Sequence, residues 1–218
     1  MYRLIIFDLD GTILDTLEDL TDSTNYALAK NHFPVRTIEE VRSFVGNGIG
    51  KLIARAVPKG TEEKMIEQVL YDFRDYYGKH CADKTKPYDG ILDLIRSLRA
   101  RDCRTAVVSN KADFAVQELC EQYFPGLFDF VVGEREGIRR KPYPDSVLEV
   151  LSGLGAAKDE SLYVGDSEVD IETAKNAGID VVSVEWGFRK KDFLLAHGAV
   201  RFVKQPAELL DLVRENSI

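Results

Sequence analysis

The sequence is short of several things, and each shortage excludes something. No apolar run approaches the ~18 residues that a membrane-spanning helix needs. There is no block of lysine or arginine, and the 218 residues carry a formal net charge of −8. Nucleic acid and anionic membranes are therefore poor partners. Cysteine is scarce: Cys81, Cys103 and Cys120 are an odd count without C-x-x-C spacing. That pattern speaks for reduced thiols packed as small hydrophobes rather than for a disulfide or zinc framework. The histidines, His32, His80 and His197, lie far apart and form no metal-ligand motif. The opening run MYRLIIFDLDG reaches its acids within ten residues, too early for the apolar core of a signal peptide. A cytoplasmic location is the expectation.

What is present organises itself as strands alternating with helices. Short, β-branched-rich runs at Leu4–Phe7, Thr105–Val108, Phe130–Val132, Leu162–Val164 and Val181–Val184 have strand length, and each ends in a polar or glycine-bearing turn. Leu92, Ile95 and Leu98 recur at helical spacing, as do Val147, Leu148 and Leu151. Residues 168–177 read as a further helix stopped by Gly178. The alternation predicts an α/β fold, a Rossmann-like three-layer core with a parallel sheet.

Residues 16–82 break the alternation. Thr16-Leu17-Glu18-Asp19 resembles a capping box that opens a helix, and Thr61-Glu62-Glu63-Lys64 starts another with Ile66, Val69, Leu70 and Phe73 on one face. The expected organisation is a catalytic core of residues 1–15 and 83–218, with an α-helical cap domain of residues 16–82 inserted between the first and second strands.

In an open α/β sheet, ligands bind beyond the carboxyl ends of the strands, so the polar residues at those ends carry the information. Asp8-Leu9-Asp10-Gly11-Thr12 follows the first run. Two acids at a buried strand end are costly unless paired or metal-bound, and a Mg²⁺ ion prefers such oxygens. One carboxylate can attack phosphorus. The other can protonate a leaving oxygen and later activate water. Gly11 lets backbone N–H groups approach phosphoryl oxygens. Ser109-Asn110-Lys111 follows the second run and is expected to open a helix, where a hydroxyl and backbone amides suit a phosphate. Lys141, in Lys141-Pro142-Tyr143-Pro144, offers a point charge to phosphate and carboxylate. Asp166 ends the fourth run as a metal-ligand candidate, and Asp170 follows one helical turn later.

In this order, at successive strand ends, the set resembles the four motifs of the haloacid-dehalogenase (HAD) superfamily, in particular its phosphoglycolate-phosphatase-like branch with a helical C1 cap. The resemblance spans the whole chain. It implies an aspartyl-phosphate mechanism with Mg²⁺ as cofactor and a small phosphorylated metabolite as partner, with phosphoglycolate phosphatase as the leading activity. Asp8 would be the nucleophile and a metal ligand. Asp10 would be the general acid/base and would bind the metal through its backbone carbonyl. Ser109 and Asn110 would hold the transferring phosphoryl group, Lys141 would bridge it to Asp8, Asp166 would bind the metal and Asp170 would support it. In similar proteins the region of Gly46-Asn47-Gly48-Ile49-Gly50-Lys51 carries substrate specificity. Asn47 and Lys51 are then candidates to read the non-phosphate end of the substrate; the other reading is a helix–helix turn in which Gly46 and Gly48 supply positive φ.

Departures separate the branches. Carbon–halogen cleavage lacks the second aspartate, whereas Asp10 is present. Transporting ATPases carry lysine after the nucleophile, whereas Leu9 stands here. Other phosphatases of the branch (acting on pyrophosphate, sugar phosphates or nucleotides), a β-phosphoglucomutase-like phosphotransferase and a non-catalytic binding module remain as alternatives, and both monomer and homodimer stay open. The cluster Arg189-Lys190-Lys191 after Trp186-Gly187-Phe188 reads as a solvated loop.

Overall fold

A computed structural model of the chain describes residues 2–213; Met1 and residues 214–218, at the two ends of the expected core, lie outside the described residues. The chain divides into two compact units, Met1–Leu14 with Pro87–Ile218 and Asp15–Lys86. The first strand, β1 (Leu4–Phe7), is buried along its whole length, as an apolar run in the middle of a parallel sheet must be.

The smaller unit holds four helices among its described residues: α1 (Leu17–Lys30), α2 (Ile38–Phe44), α3 (Ile49–Ala56) and α4 (Glu63–His80). Val69, Phe73 and Tyr77 form the buried stripe of α4, with Phe73 and Tyr77 stacked at 5.2 Å between ring centroids. The expected capping box at Thr16 is absent. The Thr16 side chain makes no cap hydrogen bond, and the Asp19 carboxylate instead accepts from the Lys84 N–H, the Thr85 N–H and the Thr85 hydroxyl. A buried carboxylate takes the partners that satisfy it most fully. That same grip carries the unit past Ala82 to Lys86. The capping box of this unit forms at Thr37 and Glu40.

In the larger unit the chain continues through α5 (Ile91–Ala100), β2 (Arg104–Ala112), α6 (Asp113–Tyr123), β3 (Phe130–Glu134), α7 (Asp145–Leu154), β4 (Ser161–Gly165), α8 (Glu168–Ala177), β5 (Asp180–Val184), α9 (Lys191–Ala196) and β6 (Phe202–Val203). The six strands form one parallel sheet in the order β3-β2-β1-β4-β5-β6. This doubly wound order places its switch point at β1. The short β6 was not legible in the sequence, because two residues carry no periodicity.

Leu4 and Ile6 of β1 join Ala106, Val108, Val132 and Tyr163 in a core with Val147, Val150 and Leu151 of α7 and Ala174 and Ala177 of α8. The alternation of a strand sends Ile5 and Phe7 the other way, where Phe7 meets Phe128 edge-on at 6.4 Å. Two expected helix positions shift. Leu94 is buried where Leu92 is half-buried, and Leu148 faces outward at 39% exposure while Val150 fills the core. The stripe of each helix is set by the sheet it covers, and the two apolar positions outside it remain at the surface. Cys103 and Cys120 are buried thiols, both pushed up to about 12 by burial. No helix among the described residues is long and apolar enough to cross a membrane.

Candidate active site

Phe7 is level with Val107 of β2 and Val164 of β4, so the residues just beyond leave the sheet at one edge. Asp8 is the first of them. Its N–H continues the ladder to the Val164 carbonyl at 2.9 Å, and its Oδ1 accepts from the Leu9 N–H at 2.7 Å. The turn that follows is wound around the Leu9 carbonyl, which accepts from the N–H groups of Thr12, Ile13 and Leu14. Gly11 adopts φ +83°, and a side chain there would come within 2.5 Å of Asp166 Oδ2 and 2.9 Å of the Phe188 ring. Gly11 is thus needed for close approach as well as for its backbone conformation.

Ser109, Asn110 and Lys111 do not open a helix. They belong to β2, whose register against β3 shifts between Val108 and Ala112, and α6 begins only at Asp113. A bulge of this kind re-aims side chains at the end of a strand. The Ser109 hydroxyl accepts from the Lys111 N–H at 3.2 Å. Asn110 Nδ2 donates to the Lys141 carbonyl at 3.1 Å, while its buried Oδ1 has no hydrogen-bond partner among the described residues.

Lys141 is buried, and its Nζ lies 2.9 Å from Asp8 Oδ1 and 2.7 Å from Asp170 Oδ1. It also donates to the Tyr163 hydroxyl at 3.0 Å, which in turn donates to the Val108 carbonyl. The second oxygen of Asp170 accepts from the Ser167 N–H and hydroxyl. Asp166, at the end of β4, accepts from the Phe188 N–H at 2.6 Å and has the Thr12 hydroxyl at 3.5 Å.

Carboxylate oxygens of Asp8, Asp166 and Asp170 lie within 4.8 Å of one another, and all three residues are buried. The electrostatics show the strain of that crowding. Burial pushes Asp8 up to about 7; Lys141 counters it, and Asp170 and Asp10 add repulsion. Burial, then repulsion from Asp170 and Asp8, holds Asp166 well above the ordinary carboxylate range. Burial opposes the charge on Lys141, but Asp170 and Asp8 more than offset it and keep the ammonium well above the usual lysine value. A set of buried, mutually repelling carboxylate oxygens fits a hard divalent cation.

Asp10 is half-buried, and both its oxygens face Lys111 Nζ, at 3.0 and 3.1 Å. Sequence reasoning assigned no role to Lys111. The available signal was a lysine beside two polar residues at the same strand end as the acids, and only the bulge aims it at Asp10.

The cluster Arg189-Lys190-Lys191 was expected to be solvated; Lys190 and Lys191 are exposed, but for Arg189 that reading needs correction. Trp186 Nε1 donates to the Thr12 carbonyl at 3.0 Å, and Arg189, only 9% exposed in its side chain, pairs with Glu168. Gly187 lies against the metal-ligand candidate: a methyl there would collide with Asp166 and come within 2.7 Å of the Gly11 carbonyl.

In the smaller unit, Gly46 and Gly48 do adopt positive φ, +117° and +79°, between α2 and α3. Asn47 Oδ1 accepts from Arg55 Nη2 at 2.7 Å, and Lys51 is exposed.

Comparison with known proteins agrees on one family. The family model described as haloacid dehalogenase-like hydrolase matches residues 5–184. The phosphoglycolate phosphatase of Pseudomonas putida is 32% identical over 97% of this chain and 77% of its own length. The N-acetylmuramic acid 6-phosphate phosphatase of Pseudomonas aeruginosa is 30% identical over 97% of this chain and 94% of its own length. A crystal structure from Lactobacillus delbrueckii subsp. bulgaricus, described as a candidate phosphoglycolate phosphatase, superposes with a TM-score of 0.93 at 41% identity, covering 97% of this chain and 98% of that one.

Proposed function

The chain belongs to the haloacid dehalogenase-like hydrolases, and from that premise we propose a Mg²⁺-dependent phosphomonoesterase that uses Asp8 as nucleophile and 2-phosphoglycolate as its leading substrate. The observation that carries the reading is the buried Asp8 carboxylate, held by Lys141 at 2.9 Å inside the same cluster of acids as Asp166.

Asp8 attacks phosphorus and becomes an aspartyl phosphate, while Asp10 gives its proton to the departing alkoxide. In the second half Asp10 takes a proton from water, which attacks the phosphoenzyme and returns Asp8 as a carboxylate. Ser109 and Asn110 hold the transferring group, and Gly11, whose N–H is taken by the Leu14 carbonyl, serves by leaving the space beside Asp166 free of a side chain. Lys141 offsets the charge of Asp8 and of the phosphoryl oxygens, and Asp170 and Tyr163 keep its ammonium in place. Asp8, Asp166 and the Asp10 backbone carbonyl would hold the Mg²⁺, supported by Asp170. When bound, the ion neutralises the crowded carboxylates and stabilises charge on the phosphoryl oxygens. Such chemistry is mostly positioning and charge neutralisation, which suits a site built from residues on five strand ends and turns.

The unit Asp15–Lys86 is the cap in this reading, and Asn47 and Lys51 are its candidates to read the non-phosphate end of the substrate. The Arg55 contact keeps Asn47 oriented. Three buried cysteines outside any disulfide, Cys81, Cys103 and Cys120, accord with a cytoplasmic enzyme. A sugar 6-phosphate is the second substrate reading, supported by the near-equal length of the N-acetylmuramic acid 6-phosphate phosphatase.

The test is phosphate release from a panel of esters containing 2-phosphoglycolate, N-acetylmuramic acid 6-phosphate, glucose phosphates and pyrophosphate, with Mg²⁺ and with EDTA. Metal-dependent release favouring 2-phosphoglycolate is expected, and Asp8→Ala should abolish it without unfolding the protein. Preference for another ester replaces the substrate and leaves the class. No release from any ester overturns the class, and full activity of Asp8→Ala overturns the assignment of the nucleophile.

A further inference from the structure

Two lysines enter this site, and they divide the reacting atoms between them. Lys141 lies on the nucleophile, in contact with Asp8 and Asp170. Lys111 lies on the other carboxylate, its Nζ 3.0 and 3.1 Å from the two oxygens of Asp10. We propose that Lys111 is a specificity residue, which selects phosphate esters whose leaving alcohol carries an anion, a carboxylate above all, on the carbon next to the ester oxygen. The proposal rests on the phosphatase reading with Asp10 as general acid.

A group that protonates a leaving oxygen must come within hydrogen-bond reach of it. Lys111 touches both oxygens of that group, so its charge stands beside whatever the leaving oxygen is attached to. The Lys111 side chain is only 5% exposed, against 18% for Asp10. A charge so far out of water is weakly screened and acts strongly over a few ångströms. The interaction asked of it is Coulombic, and lysine, a compact point charge, is the residue for that task rather than for a fixed fork of donors.

A neutral leaving alcohol does not need such a charge. An anionic one does, because a carboxylate beside the ester carbon enters a site that already holds the buried carboxylates of Asp8, Asp166 and Asp170. Like charges brought together in a partly dry site oppose binding, and the lysine relieves that opposition. The bulge in β2 between Val108 and Ala112 is what turns Lys111 into the site, so the sheet departs from regular pairing at the place where the cation is delivered. A carboxylate remote from the phosphate, as on the lactyl group of N-acetylmuramic acid 6-phosphate, would gain little from this lysine.

A lysine that merely held Asp10 in position would act on every ester alike. The experiment therefore compares kcat/KM for 2-phosphoglycolate with that for 2-hydroxyethyl phosphate, an ester of the same chain length with a neutral alcohol. Wild type, Lys111→Met and Lys111→Arg are assayed with Mg²⁺. Wild type should favour 2-phosphoglycolate, Lys111→Met should reduce that preference by about tenfold or more, and Lys111→Arg should retain most of it. Equal losses on both esters in Lys111→Met would reduce Lys111 to a support for Asp10 and overturn the proposal. Absence of any preference in the wild type overturns it without recourse to a variant, so a variant that fails to fold does not protect it. The parent reading fails separately: a wild type that releases phosphate from neither ester nor from p-nitrophenyl phosphate is not a phosphatase, and this proposal falls with it.

Discussion

Lys141 and Asp170 meet at 2.7 Å with both side chains almost wholly buried, at 4% and 0% exposure. The pair does not stand alone, because the same ammonium lies 2.9 Å from Asp8. One cation is thus shared by two carboxylates, one of which is the proposed nucleophile, and the site's stability and chemistry depend on the same atom.

Replacing Lys141 with methionine should be strongly destabilising, since it strands two buried carboxylates. Removal of one partner from a buried ion pair costs about 3–5 kcal/mol. Urea unfolding of the metal-free protein should show a drop toward that size, together with loss of turnover. A change below about 1 kcal/mol would mean that Asp8 and Asp170 are not held by this lysine.

The crowding around Asp8 predicts a pH signature in the metal-free protein. Asp8 is raised from 3.8 to about 7 in the folded chain. A raised carboxyl favours the folded state fully below its unfolded value, and that contribution is lost as pH rises through the folded one. Asp8→Asn cannot ionise, so it should gain on the wild type as pH rises from about 4 to about 7. Without metal, the variant should be the more stable protein at pH 7.5 by more than about 1 kcal/mol, and Mg²⁺ should shrink the difference by stabilising only the wild type. Parallel stability–pH curves for the two proteins would show that Asp8 is not under this pressure.

Asp10→Asn should slow both half-reactions, because leaving-group protonation and water activation fall on one carboxylate. Rapid-quench measurement of phosphoenzyme formation and decay should find each step slower by about 100-fold or more. A variant slowed in one step alone would assign the other proton transfer to a different group.

Gly187→Ala should weaken metal binding, because a methyl at that position meets Asp166 on one side and the Gly11 carbonyl on the other. Mn²⁺ titration followed by electron paramagnetic resonance should show affinity reduced by about tenfold or more, with the fold retained by circular dichroism. Unchanged affinity would show that Asp166 can shift and still bind, or that it is not a ligand.

The sequence by itself determined the larger part of this protein. Buried parallel strands must be continuous apolar runs, so Leu4–Phe7 and Leu162–Val164 announced themselves. Charged residues rarely follow such runs without a partner, so Asp8 and Asp166 did too. Lys141 was legible only as one member of an ordered set, since a lysine in a proline turn is unremarkable alone. What tertiary structure decided were the features that depend on long-range register and on competition for partners. Asp19 was legible as a capping residue, but the N–H groups of Lys84 and Thr85, distant in sequence, claim its carboxylate. Ser109-Asn110-Lys111 looked like a helix opening because local composition favours one. Pairing of β2 with β3 instead carries the strand to Ala112 through a bulge, and that irregularity puts Lys111 on Asp10. Periodicity and propensity act over a few residues and could be read directly. The placement of Lys111, Gly187 and Asp19 arises from strands and loops that meet only when the chain is folded.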